Sequence, residues 1–73
     1  MGSATKELVA IAAAIAGKCR PCFVHHLKQA RELGIGEDLI REAIQLARDI
    51  RASGDNQIDE FAERRMDGTF EEE

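Results

Sequence analysis

Residues 4–52 read ATKELVAIAAAIAGKCRPCFVHHLKQARELGIGEDLIREAIQLARDIRA, and the spacing of apolar side chains along this stretch decides the fold class. Leu8, Val9, Ile11 and Ile15 stand among five alanines, which predicts a first helix over about 4–17 that is apolar nearly all round. A helix of that kind is expected to be buried on most sides, and its alanines allow other helices to approach closely. The second helix is expected to start near Pro21, because proline suits the first helical position, where its missing N–H has no partner to lose. It is expected to end at Gly34, a residue suited to the C-terminal cap. Between 37 and 52, Leu39, Ile40, Ala43, Ile44, Leu46, Ala47 and Ile50 form a broad apolar stripe. Acids open that segment and Arg48 and Arg51 close it, which is the charge order a helix dipole favours.

After Ser53 and Gly54 a fourth helix can begin at Asp55 or Asn56, carrying Ile58, Phe61, Ala62 and Met66 on one side and stopping at Gly68. Residues 69–73 are expected to form a loose tail. No stretch alternates apolar and polar residues for more than a few positions, so no strand is expected. The expectation is therefore an all-α fold, one small bundle of about four helices formed as a single domain over 1–73. A domain this small buries only about 60% of the surface its unfolded chain exposes. Completion of the bundle by homo-oligomerisation is the expected remedy.

Charge and composition exclude several function classes. Three of the fourteen acidic residues are Glu71, Glu72 and Glu73, which leaves eleven acids against ten basic residues in the body of the chain. There is no basic stripe, and Phe23, Phe61 and Phe70 are the sole aromatic residues apart from histidine, so nucleic acid is not an expected partner. The apolar run from Leu8 to Ala16 is far shorter than the roughly 20 residues a bilayer span requires, so no membrane association is expected. A cytoplasmic location follows, where a cysteine pair is more often catalytic or metal-binding than structural.

The two cysteines of the chain lie in Cys19-Arg-Pro-Cys22-Phe-Val-His-His26. Thiols at this spacing can close a small disulfide ring. With Pro21 as first helical residue, Cys22 becomes the second, where free backbone N–H groups and the positive end of the dipole favour a thiolate. Such thiols have pKa values lowered from about 8.5 to roughly 3.5–7.5. Cys19, just outside the helix, is placed to attack an oxidised Cys22 or to be attacked by it. His26 lies four residues after Cys22, one turn along the same face, and borders the apolar side of the helix. His25 projects among Lys28 and Glu32 and is the expected exposed bystander. Glu7 is the remaining candidate, although an acid early in a helix also simply complements the dipole.

Redox chemistry, metal binding and buried structural thiols all fit a Cys-x-x-Cys pair. A c-type haem site needs histidine directly after the second cysteine, where Phe23 stands. A thioredoxin fold needs a βαβ pattern, which is absent. A closed zinc site needs four ligands, and beyond Cys19, Cys22 and His26 there remain Glu7 and the wrongly directed His25.

Taken together, Glu7, eleven residues, Cys19, two residues, Cys22, three residues and His26 form a pattern that resembles the alkylhydroperoxidase/carboxymuconolactone decarboxylase-like family. The resemblance covers about 6–52: an apolar helix, a Cys-x-x-Cys helix start and an amphipathic helix. It implies an all-helical oligomer in which Glu7 and His26 relay protons to the cysteines. Cys22 would be oxidised by peroxide to a sulfenic acid that Cys19 resolves as a disulfide. Lactone-decarboxylating relatives lack the cysteine pair. Pro21 stands where hydroperoxidases of this type can carry another histidine, and it gives the pair a thioredoxin-like order. The implied function is a thiol-dependent peroxide reductase or disulfide oxidoreductase without a cofactor, acting on a peroxide or disulfide substrate and recharged by an external thiol reductant. Two orders of attack stay open: the helix start favours Cys22, and the thioredoxin-like order favours Cys19. The alternatives are a metal-binding module using Cys19, Cys22 and His26, and a non-catalytic oligomeric assembly domain.

Overall fold

The computed structural model of the protein describes residues 1–68, and the expected tail over 69–73 lies outside the described residues. Among the described residues four helices follow one another: α1 (Ser3–Ala16), α2 (Arg20–Glu32), α3 (Glu37–Ala52) and α4 (Ile58–Asp67). Among the described residues there is no strand, so the all-α expectation holds. No described helix is long and apolar enough to cross a membrane.

The core sits where α1 packs against both α2 and α3. Ile11 of α1, Ala30 of α2 and Ile40 of α3 meet there, with Leu8, Phe23, Leu27, Ile35 and Ile44 packed around them. The small side chains of Ala14, Ala30 and Ala47 are buried, which lets the helix backbones approach closely. The expectation for α1 holds on two faces only. Val9 is half exposed and Ala13 and Ala16 are exposed, because α4 does not pack across the bundle to cover them.

The helix ends explain the chain's course. At the end of α2 the N–H of Gly34 donates to the Arg31 carbonyl and that of Ile35 to the Ala30 carbonyl, a paired closure that puts Gly34 at φ +80°. The end of α1 repeats this closure: Lys18 N–H donates to the Ile15 carbonyl and Cys19 N–H to the Ala14 carbonyl. Here the left-handed residue is Lys18, at φ +59°, the one described non-glycine residue with positive φ. Across the short loop between α2 and α3, the Arg31 guanidinium grips Glu37 through two hydrogen bonds of 2.9 and 3.0 Å. That hydrogen bond holds the Glu37 carboxyl below its ordinary pKa.

The start of α4 departs from expectation. The Asp55 carboxylate accepts the N–H of Gln57 at 2.8 Å, which folds 55–57 into a turn and delays the helix to Ile58. The apolar stripe of α4 is not buried within the chain: Ile58 and Met66 are largely exposed, while the Arg65 guanidinium lies 5.6 Å from the centre of the Phe61 ring.

Candidate active site

The turn between α1 and α2 holds both sulfurs. Cys19 and Cys22 are joined by a disulfide, with Cα atoms 5.3 Å apart, within the span a disulfide bridges. Cys19 is the extended residue that caps α2, and its Sγ accepts the backbone N–H of Cys22 at 3.3 Å. Arg20 is the first helical residue and Pro21 the second, so Cys22 is the third rather than the expected second. The shift of one residue matters. It directs a free amide of the helix start at the sulfur of Cys19, so electrostatic stabilisation of a thiolate falls on Cys19 through that amide and on Cys22 through the dipole.

One turn further along α2, His26 meets Glu7 from α1. Nδ1 of His26 and Oε1 of Glu7 are 2.8 Å apart in a half-buried contact, with side-chain exposures of 32% and 19%. Their direct contact needs no bridging water. It also removes the simple dipole explanation for Glu7, which lies in the second turn of α1 and not its first. With Nδ1–H donating to the carboxylate, the Nε2 lone pair of a neutral His26 is free to take a proton. His25 is exposed as expected, yet it is not remote: its ring meets the His26 ring edge-on at 4.8 Å and helps to fix its orientation.

The four expected residues therefore form two pairs, one of sulfurs at the start of α2 and one of proton carriers one turn further along it. Among the described residues no group of three or more His, Cys, Asp or Glu side chains is arranged to hold a metal ion.

Sequence reasoning missed the surroundings of Cys19. A groove of about 450 Å³ opens beside it, with an apolar floor including Ile15, Phe23 and Val24 and with Lys18, Arg20 and Arg51 around it. Arg51 reaches in from the last turn of α3, anchored by a 2.9 Å hydrogen bond from its guanidinium to the Ile15 carbonyl. The adjacency Lys-Cys-Arg at 18–20 was a usable signal for two of these cations. Nothing in the sequence tied Arg51, read there only as a cation closing the third helix and 32 positions beyond Cys19, to the cysteines.

Comparison with known proteins adds one result. The model of the carboxymuconolactone decarboxylase family matches residues 2–55, a span that contains all four candidate residues and the groove. No curated protein and no solved structure matches the chain significantly.

Proposed function

The chain belongs to the carboxymuconolactone decarboxylase family, and from that premise we propose that it is a thiol redox protein that reduces peroxides or disulfides. The family includes alkylhydroperoxidase-like members. The observation that carries the reading is the disulfide-bonded Cys19–Cys22 pair beside the directly bonded Glu7–His26 pair.

In the peroxide cycle His26, oriented by Glu7, takes the proton of Cys22. The thiolate attacks one oxygen of the peroxide; the S–O bond forms, the O–O bond breaks, and the leaving alkoxide or hydroxide is protonated by His26. Cys19 then attacks the sulfenic sulfur, expelling water and closing the disulfide. The peroxide gains two electrons and the two thiols lose them. An external thiol reductant reopens the disulfide by exchange.

The test is peroxide consumption by pre-reduced protein, followed together with free thiols. The wild type is expected to consume one equivalent and lose two thiols, and Cys22→Ser is expected to consume none. A Cys22→Ser protein that still removes peroxide at the wild-type rate overturns the role given to Cys22.

Self-association belongs to the same reading. The described residues bury only Ile11, Ala14, Ala30, Ile40 and Ala47, a small core for a chain of this length. On α3, Leu39, Leu46 and Ile50 are each more than half exposed. With Ala43 they recur at intervals of four, three and four residues, the spacing of a helix–helix seam. A second copy of the chain is the proposed occupant of that seam.

A further inference from the structure

The groove beside Cys19 has a composition that neither the peroxide cycle nor the family match explains. Its charged lining is wholly cationic, its floor is apolar, and the one cysteine that lines it is Cys19. A small peroxide needs no such surface. Lys18 is also held in a left-handed backbone conformation, at a closure where Gly34 performs the same service for α2 with no side chain. A lysine standing where glycine is conformationally better points to a use for its ammonium group.

We propose that this groove is the exchange site for an external thiol/disulfide couple that joins an apolar body to an anionic group, and that Cys19 is the sulfur with which this partner forms its mixed disulfide. The inference rests on the thiol redox reading and names the partner class for it. Ile15, Phe23 and Val24 cover the apolar body, while Lys18 and Arg20, exposed on either side of the half-buried Cys19, bind the anion; Cys22, the more exposed residue of the pair, does not line the groove.

In the reducing direction the partner's thiolate attacks Sγ of Cys19. A new S–S bond forms to Cys19, the Cys19–Cys22 bond breaks, and Cys22 leaves as a thiolate; the proton released by the partner's thiol is taken up at His26 and passed to it. A second thiol of the partner then attacks the partner's own sulfur in the mixed disulfide. Cys19 leaves as a thiolate stabilised by the Cys22 amide, and the partner departs as a disulfide, having given up two electrons to the protein. The reverse sequence reduces an external disulfide through the same groove.

The experiment compares two chromogenic aromatic disulfides on the reduced full chain: 5,5′-dithiobis(2-nitrobenzoate), which carries two carboxylates, and uncharged 4,4′-dithiodipyridine. Second-order rates are measured for both, and the ratio of anionic to neutral rate cancels any change in thiol ionisation common to the two. The ratio in the wild type is expected to fall at least fivefold in Lys18→Gly/Arg20→Ala, and to fall steadily with added salt in the unaltered protein. With the anionic disulfide, Cys22→Ser is expected to stop at a mixed disulfide on Cys19 with one thiolate released, and Cys19→Ser is expected to lose the preference for the anion. A ratio unmoved by the double variant and by salt, or retained in Cys19→Ser, overturns the groove assignment while leaving the thiol chemistry standing. If the uncharged disulfide reacts with neither thiol of the wild type, the underlying redox reading fails as well.

Discussion

Replacing Lys18 by glycine should make the protein more stable, although it removes a charge from the groove. Lys18 sits at φ +59° in the left-handed region, where an L-residue carries a cost of roughly 1–2 kcal/mol from the approach of Cβ to the following carbonyl. Glycine avoids that contact but loses more backbone freedom on folding, a penalty of about 0.5–1 kcal/mol. The balance is a gain of about 0.5–1 kcal/mol, because both backbone hydrogen bonds of the closure, Lys18 N–H to Ile15 and Cys19 N–H to Ala14, survive the change. For a chain of this size that corresponds to a rise in Tm of about 2–8 °C. Thermal unfolding followed by far-ultraviolet circular dichroism, with the disulfide intact and at two protein concentrations, measures it. Gly34→Ala is the matched control: it sits at φ +80° in the same closure of α2, and an added Cβ would meet nothing within 4 Å, so its loss of stability reads conformation alone. If Gly34→Ala lowers Tm while Lys18→Gly also lowers it or leaves it unmoved, the Lys18 side chain stabilises the fold by more than its backbone costs. The conformational argument for a functional lysine is then refuted.

Three further outcomes are expected. Glu7→Gln removes the charged acceptor of His26 Nδ1 and should slow peroxide or disulfide reduction by at least about tenfold, read by stopped-flow kinetics; an unchanged rate would show that Glu7 serves structure alone. Ile11→Ala empties the centre of the core, where Ile11 is fully buried, and should cost about 2–5 kcal/mol in denaturant unfolding; a loss below about 1 kcal/mol would mean that the α1–α2–α3 junction is not the stabilising core. Leu46→Glu places a charge in the exposed seam of α3 and should reduce the mass seen by light scattering to that of one chain, whereas an unaltered assembly would remove that seam from the interface.

The helices were legible because their signals are local. The 3.6-residue periodicity of α3, the proline in the first turn of α2 and Gly34 after its end each act within a few residues, and the observed bounds lie close to those expected. The start of α4 was misread because an aspartate can cap a helix or close a turn, and the same side-chain oxygen serves both; here the Asp55 carboxylate took the Gln57 amide. The one-residue shift at the start of α2 has a similar origin. Proline fits the first turn of a helix at more than one position, and the extended backbone of Cys19 settled which.

For the site, the sequence by itself determined the reactive groups and their periodicity: two thiols at a spacing that closes a ring, a histidine one turn beyond, and a carboxylate whose membership came from a family pattern rather than from any property of Glu7. Tertiary structure alone decided that Glu7 bonds His26 directly, because the crossing of α1 against α2 sets the distance between residues nineteen positions apart. It alone brought Arg51 from the far end of α3 to the carbonyl of Ile15 and so to the groove of Cys19. Local sequence dictates which face of a helix a side chain occupies, but which two faces meet is decided by the packing of Ile11, Ala30 and Ile40.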